Sequence, residues 1–125
     1  MPLRILIVDD NQDAADLLGE LLGEFSHQVV VVHDSKSALD LAAQAEFDVL
    51  ILDIGLPRID GWDLARKIRE LPKNRSARVI AVSGYGREAD RQRSRDAGFD
   101  AHFVKPVGIE ELLSLLKVET KGGDL

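Results

Sequence analysis

The stretch 49–61 constrains the fold of this chain more than any other. Four apolar residues, 49–52, run directly into Asp53, and the turn-forming pairs Leu56-Pro57 and Asp60-Gly61 follow. A short apolar run that is closed by turn signals predicts a strand buried on both faces, as in a parallel sheet. Because an isolated carboxylate is costly inside a core, Asp53 is expected at the end of that strand, facing a crevice.

The same alternation of strand and helix patterns recurs along the whole chain. Short apolar runs predict strands at 5–8, 29–32, 49–52, 79–82 and 101–104, and helical patterns follow each of them. Alternating strands and helices predict a parallel sheet covered on both faces. Of the two common open-sheet arrangements, a Rossmann order and the flavodoxin-like order 2-1-3-4-5, five strands favour the second. The predicted fold is therefore an α/β, (βα)5 three-layer sandwich with strands one and three in the centre and strand five at an edge.

The helices differ in how clearly their buried faces can be predicted. In the first helix, the apolar residues at helical spacing predict a buried face made of Ala14, Leu17, Leu18, Leu21, Leu22 and Phe25. Ser35 and Asp60 are the expected N-caps of the second and third helices. The fourth helix, within 87–97, contains four arginines and almost no apolar face. It is therefore expected to be weakly held or to contact a partner.

Size and composition narrow the class of protein. The 125 residues fit one domain, for which we take 1–118, with 119–125 as a C-terminal tail or truncated linker. The net charge of -6 argues against a nucleic-acid-binding surface. The absence of cysteine excludes a disulfide framework and a thiol nucleophile. The apolar runs are too short to span a bilayer, and the first residues lead into a strand pattern rather than a signal peptide, so the expected location is cytoplasmic.

Polar residues stand where the predicted strands end. Strand one is followed by Asp9 and Asp10, strand three ends in Asp53, strand four in Ser83 and strand five in Lys105. In an open α/β sheet these ends surround the ligand site. Three neighbouring carboxylates must be protonated, paired or metal-bound, and all-oxygen ligands suit Mg²⁺. Lys105 supplies the cation that a transferring phosphoryl group needs, and Ser83 supplies a hydroxyl for one phosphoryl oxygen.

These motifs together resemble a known family. The sequence is similar over roughly its whole length to the receiver domains of two-component response regulators, and the resemblance rests on Asp9-Asp10, Asp53 with Leu56-Pro57 and Asp60-Gly61, Ser83-Gly84 and Lys105-Pro106. The resemblance implies that Asp53 is the phosphoacceptor. It also implies that Asp10 and Asp53 ligate Mg²⁺ (or Mn²⁺) with the backbone carbonyl of Gly55, and that Asp9 acts through water. Ser83 would be the hydroxyl switch and Lys105 the cation that contacts the phosphoryl group.

One position departs from the family pattern. In such domains an aromatic residue usually stands three positions before the lysine that corresponds to Lys105, and it serves as a second switch. In this sequence His102 occupies that position. His102 is either a switch or a half-exposed edge-strand residue. The resemblance implies signalling through the face formed by the fourth helix (87–97), the fifth strand (101–104) and the final helix, whose apolar stripe is Ile109, Leu112, Leu113 and Leu116.

The resemblance also implies partners. The phosphoryl donor would be a sensor histidine kinase or a histidine phosphotransfer protein, and a separate protein would receive the signal. We expect no direct contact with nucleic acid or membrane, and a monomer or weak dimer. Because the domain modifies only its own side chain, it is a signalling module rather than an enzyme. It is either a stand-alone regulator or a receiver cut from a hybrid histidine kinase.

Other readings remain for the same residues. A haloacid-dehalogenase-like phosphatase also uses a nucleophilic Asp and Mg²⁺, but it needs a second acid where this chain has Gly55. A pseudo-receiver would keep the fold as a binding module without phosphorylation, although the acid set is complete. A flavodoxin fits less well, because the first loop lacks a phosphate-cradling run of Ser, Thr and Gly.

Overall fold

Strands and helices alternate along the part of the chain that the computed structural model describes, residues 2–84 and 87–119. The strands are β1 (Arg4–Val8), β2 (Gln28–Val32), β3 (Val49–Asp53), β4 (Arg78–Ser83) and β5 (Ala101–Val104). The helices are α1 (Gln12–Gly23), α2 (Ser35–Gln44), α3 (Gly61–Arg69), α4 (Glu88–Asp96) and α5 (Ile109–Glu119), and a 3-10 turn spans Pro72–Asn74. No helix in the described ranges combines the length and apolarity that a membrane span requires. Of the predicted tail, all but Glu119 lies outside these ranges.

The sheet confirms the predicted topology. All strand pairs are parallel and the order is β2-β1-β3-β4-β5. Every residue of β3 is buried, whereas all four residues of β5 are only partly buried, as expected of a central and an edge strand. Because side chains alternate along a strand, Leu50 and Leu52 enter the core on one face of the sheet and Val49 and Ile51 enter the core on the other.

The predicted buried face of α1 is partly wrong. Leu22 is buried as predicted, but the helix packs beside it through Ala15 and Gly19, while Leu17 and Phe25 are 57% and 54% exposed. Gly19 explains the rotation, because a Cβ at that position would lie only 2.8 Å from a methyl group of Val31 on β2. The helix backbone approaches the sheet along its glycine. Ala14 is also exposed, and Leu18 and Leu21 are half-buried, so an apolar stripe of α1 faces outward.

The helix caps agree with the predictions at one of the two named positions. The carboxylate of Asp60 accepts a hydrogen bond from the Asp63 backbone and caps α3 as predicted. In α2 the cap is Asp34, which accepts from the Ser37 backbone at 2.7 Å, and not Ser35. Ser35 is the first helical residue, and its buried hydroxyl donates to the carbonyl of Ile59 at 2.8 Å. Asp and Ser are comparable caps, and the loop places Asp34, not Ser35, in the extended conformation of the cap position.

Two polar side chains, one buried and one partly buried, link the amino ends of the strands to neighbouring segments. Asn74 is 1% exposed, accepts from the Phe47 backbone and donates to the carbonyls of Ala42 and Ala45. On the other side of β4, Arg69 donates to the carbonyl of Gly98 at 3.0 Å. The amino end of the sheet is thus cross-linked by hydrogen bonds, and the polar residues that remain for chemistry lie at the opposite end.

Candidate functional site

The carboxyl ends of the strands bring the predicted acids together. Asp9 and Asp10 follow β1, and Asp53 is the last residue of the neighbouring β3. Each of the three offers one carboxylate oxygen, and these oxygens lie within 4.8 Å of one another. Asp9 and Asp53 are buried and Asp10 is exposed, so the cluster opens to solvent on one side.

Lys105 completes the cluster from the end of β5. Its Nζ lies 3.0 Å from Oδ2 of Asp9 and 3.4 Å from Oδ2 of Asp53. The other oxygens of these two carboxylates accept backbone hydrogen bonds, Asp9 from Asn11 at 3.0 Å and Asp53 from Gly55 at 2.9 Å. The ammonium and the two amides hold both carboxylates in fixed orientations.

Burial and charge act against each other on Asp53. Burial raises the pKa of the Asp53 carboxyl above its ordinary value, and the charge of Asp9 raises it further. The Gly55 amide and the Lys105 ammonium favour the ionised form and limit the rise. For Lys105, burial alone would lower the pKa, but the hydrogen bond to Asp9 and the charge of Asp53 outweigh it and raise the pKa above its ordinary value. Lys105 therefore stays charged at neutral pH.

The donor set fits a hard divalent cation. Asp9, Asp10 and Asp53 contribute only oxygen atoms, and a single ammonium cannot neutralise three carboxylates. A cation held by these oxygens would remove the repulsion between Asp9 and Asp53 that Lys105 leaves. Gly55 lies at the mouth of this cluster and contributes its N–H to Asp53.

The loop between β3 and α3 is folded back under Asp53. The Gly61 amide donates to the carbonyl of Ile54 at 3.2 Å, and a Cβ on Gly61 would lie 2.6 Å from the Ile54 Cα and 2.7 Å from the Asp53 carbonyl oxygen. Only glycine allows this approach of two backbones. The Asp60-Gly61 pair, which the sequence marks as a turn, thus sets the position of the phosphoacceptor candidate.

Ser83 and His102 are in direct contact beside the acids. The Ser83 Oγ lies 2.8 Å from His102 Nε2, and Ser83 is buried whereas His102 is half-buried. The other ring nitrogen of His102 lies 2.9 Å from the Oγ of Ser94 on α4, which in turn accepts from the indole N–H of Trp62. No sequence pattern identifies Ser94, because a serine in a mostly polar helix carries no mark of its burial.

An apolar cleft borders the acids on the side of α1. Its volume is about 380 Å³, and it runs from Asp53 and Lys105 to the outward side of α1. Apolar side chains line most of it, namely Leu17, Leu18, Leu21, Pro106 and Val107. The exposed stripe of α1 therefore continues directly into the acidic site.

A comparison with protein families adds to this geometry. The family model of the response regulator receiver domain matches residues 5–117, which include all of the converging acids and Lys105. The chain belongs to this family. Membership makes it a signalling domain of two-component systems, and it accounts for the cluster of strand-end residues that the fold assembles.

Similar proteins share the whole described domain. The response regulator MprA of Mycolicibacterium vanbaalenii is 32% identical over 94% of this chain, which spans 50% of that protein's length. A CheY-like receiver domain protein of Methanospirillum hungatei JF-1 superposes with a TM-score of 0.84 at 30% identity, covering 94% of this chain and 92% of that one. The receiver domain of the sensor histidine kinase PA1611 of Pseudomonas aeruginosa PAO1, solved with a magnesium ion in its active-site cleft, has a TM-score of 0.83 at 27% identity, covering 94% of this chain and 96% of that one.

Proposed function

We propose that this receiver accepts a phosphoryl group on Asp53 from a phosphohistidine of a partner protein. The observation that carries the proposal is the Asp53 carboxylate itself, only 7% exposed, with Lys105 Nζ at 3.4 Å and two further acids beside it. A buried carboxylate with an ammonium at its edge is a nucleophile with a charge-neutralising group already in place.

The transfer is an in-line displacement at phosphorus. One oxygen of Asp53 forms the new P–O bond while the P–N bond of the donor breaks, and the electron pair returns to the donor imidazole nitrogen, which takes a proton. Lys105, now bridging Asp9 and Asp53, contacts the oxygens of the arriving group, and Ser83 gives a hydroxyl contact to one of them. Water later attacks the phosphorus of the acyl phosphate, the bond from phosphorus to the Asp53 oxygen breaks, and inorganic phosphate is released with the Asp53 carboxylate restored.

We further propose that Asp10 and Asp53, with the Gly55 carbonyl, hold Mg²⁺ (or Mn²⁺), and that Asp9 acts through water. A bound divalent cation supplies positive charge that offsets the charge of the phosphoryl group and of the acids. The cluster of three carboxylates supports this assignment, and so does the magnesium ion in the cleft of the PA1611 receiver.

The exposed stripe of α1 supports docking of a histidine-bearing protein. Leu17 is apolar, 57% exposed and connected to Asp53 by the cleft, whereas Phe25, 54% exposed, follows the far end of the helix. Apolar side chains that border a reactive group are typical of a protein-binding surface. The proposed donor is a sensor histidine kinase or a histidine phosphotransfer protein. A cytoplasmic location is part of the proposal, and the absence of cysteine is compatible with it.

The proposed signal leaves through the α4-β5-α5 face toward a separate protein. The sparse apolar packing of α4 and its position beside Ser83 support this choice. The proposed receiver unit is 1–118, with 119–125 as tail or linker.

The decisive test is labelling of Asp53. Acetyl phosphate with Mg²⁺ should add one base-labile phosphoryl group, and Asp53→Asn should abolish it. Asp40→Asn, which neutralises an exposed acid on α2, is the matched control and should label as the wild type does. EDTA should prevent labelling of the wild type. Full labelling of Asp53→Asn, or full labelling of the wild type in the presence of EDTA, would refute the mechanism.

A further inference from the structure

Helix α4 is attached to the domain by a polar side chain. Of its described side chains, Ser94 alone is buried, at 1% exposure, and the rest of the helix is charged or polar except for the exposed Ala89. A helix without an apolar stripe gains little from hydrophobic burial. Its position therefore depends on polar contacts, and among these the contacts of Ser94 are made by the one buried side chain of the helix.

Ser94 connects two other elements. Its Oγ lies 3.0 Å from the indole Nε1 of Trp62 on α3 and 2.9 Å from Nδ1 of His102 on β5. The opposite nitrogen of His102 lies 2.8 Å from the Oγ of Ser83. Four side chains from α3, α4, β5 and β4 thus form one continuous chain of hydrogen bonds that ends at the site.

The hydrogen-bonding capacities of these groups favour one direction for the chain, in which the hydroxyl hydrogen of Ser94 and the ring N–H of His102 each have an acceptor. The indole N–H of Trp62 can only donate, so Ser94 Oγ accepts from it. Among the described contacts of Ser94, the remaining partner for its own hydroxyl hydrogen is His102 Nδ1. The neutral ring then carries its hydrogen on Nε2 and donates it to Ser83 Oγ. In this arrangement Ser83 accepts from His102, and its own hydroxyl hydrogen is not used in that bond.

The ring is held in its neutral form. Burial lowers the pKa of His102, and the nearby Arg91 guanidinium lowers it further, while Asp90 opposes them weakly. A protonated ring would have two N–H donors, and the Ser94 hydroxyl would lose its acceptor. The chain of hydrogen bonds from Trp62 to Ser83 and the lowered pKa of His102 are therefore consistent with each other.

A second contact joins α3 and α4 at the same place. The guanidinium of Arg93 stacks over the Trp62 ring at 4.0 Å from its centroid, and it lies 3.9 Å from the carboxylate of Asp60. Asp60 caps α3 and precedes Gly61, which packs against the Asp53 backbone. The contact between α3 and α4 is therefore connected to the site at two points. One is Asp60, next to Gly61, and the other is Ser83.

We propose that Ser94, together with Trp62, is a positioning residue that anchors α4 to α3 and orients the Ser83 hydroxyl through His102, so that occupation of the phosphorylation site changes the α3–α4 contact. The anchoring half of this inference is independent of the proposed function, and the coupling half rests on it. When the Ser83 hydroxyl moves toward a phosphoryl oxygen, its hydrogen bond to His102 Nε2 lengthens. The imidazole ring then shifts, and its hydrogen bond to Ser94 on α4 changes as well.

The anchoring is tested in the resting protein without any phosphoryl group. Ser94→Ala should lower hydrogen-exchange protection of the α4 amides about fivefold or more, the effect of one lost buried hydrogen bond. Ser114→Ala, the same change on an exposed position of α5, should leave α4 unchanged. Ring ¹⁵N shifts should show the Nε2–H form of His102 in the wild type. Unchanged protection in Ser94→Ala would overturn the anchoring of α4. An Nδ1–H ring in the wild type would overturn the direction of the hydrogen bonds from Trp62 to Ser83.

The coupling is tested through Trp62, the single tryptophan of the chain. Beryllofluoride with Mg²⁺ should change its emission in the wild type, and His102→Phe should remove most of this change while ¹⁹F NMR still detects the bound mimic. An equal change in His102→Phe would overturn the coupling and leave the proposed function intact. A wild-type protein that does not bind the mimic would overturn the proposed function and the coupling together, whereas the resting measurements would still decide the anchoring.

Discussion

The Asp53 carboxylate is held in a balance of opposing influences. Burial and Asp9 raise its pKa, and Lys105 and the Gly55 amide oppose that rise. Because the folded pKa lies above the ordinary value of 3.8, the native state loses stability as the pH rises from 3.8 through the folded pKa, and the loss persists at neutral pH. Reactivity at this residue is thus obtained at the expense of folding free energy.

We predict that Asp53→Asn is more stable than the wild type in EDTA at pH 7, by on the order of 1 kcal/mol. The amide keeps the shape of the side chain and removes one charge from the acid cluster. Urea unfolding should show the difference, which should shrink as the pH is lowered from 7 toward 4. A difference that grows at low pH would contradict the electrostatic explanation.

The exposed Asp10 should matter for metal binding more than for folding. We predict that Asp10→Ala weakens Mg²⁺ affinity by roughly tenfold or more, since a small hard cation uses few carboxylate ligands and each counts. Calorimetry measures the affinity, and Asp13→Ala, an exposed acid in the first turn of α1, is the control. Equal affinities in the two variants would place the cation elsewhere.

At the scale of elements, the outward stripe of α1 and the cleft beside it form one surface. We predict that Leu17→Asp slows phosphotransfer from a phosphohistidine protein roughly tenfold, a loss typical of a disrupted interface contact. Phosphorylation by acetyl phosphate, which needs no docking, should stay within about twofold of wild type. Ala43→Asp adds the same charge to an exposed position of α2 and should affect neither reaction. Loss of both reactions in Leu17→Asp would indicate damage to the site itself.

The elements also show what the sequence could predict. Strand order, the central β3 and the converging Asp9, Asp53 and Lys105 follow from apolar runs and from the rule that parallel strands end at one edge. The rotation of α1 could not be predicted, because it depends on the distance at which Gly19 meets Val31 and not on periodicity.

The helix contacts made by polar side chains could not be predicted from the sequence either. A serine in a polar helix has no pattern that marks it as buried, and Ser94 gains its role only from Trp62 and His102, residues far from it in sequence or on other elements. Asp34 and Ser35 are adjacent and both are good caps, so only the conformation of the loop decides between them.

At the scale of the whole molecule, the two ends of the sheet differ in how firmly they are held. Asn74 and Arg69 cross-link the amino ends, while the carboxyl ends carry the acids and lead to the polar α4. We predict that beryllofluoride with Mg²⁺ changes hydrogen-exchange protection within Ser83 to Lys105 more than in α1 and α2. Metal alone is the control. Changes confined to the backbone around Asp9, Asp10 and Asp53 would show that the α4-β5-α5 face does not carry the signal.

The outward rotation of α1 has a consequence for selectivity. Receiver domains share the same acids and lysine, so a phosphohistidine protein cannot use those residues to distinguish one receiver from another. Discrimination between receivers must come from surrounding side chains that differ. Ala14 and Leu17 line the cleft beside the acids and are free to vary without disturbing the core, because both are exposed. Exchanging this stripe for that of another receiver should therefore redirect which donor the domain accepts, while the chemistry at Asp53 remains the same.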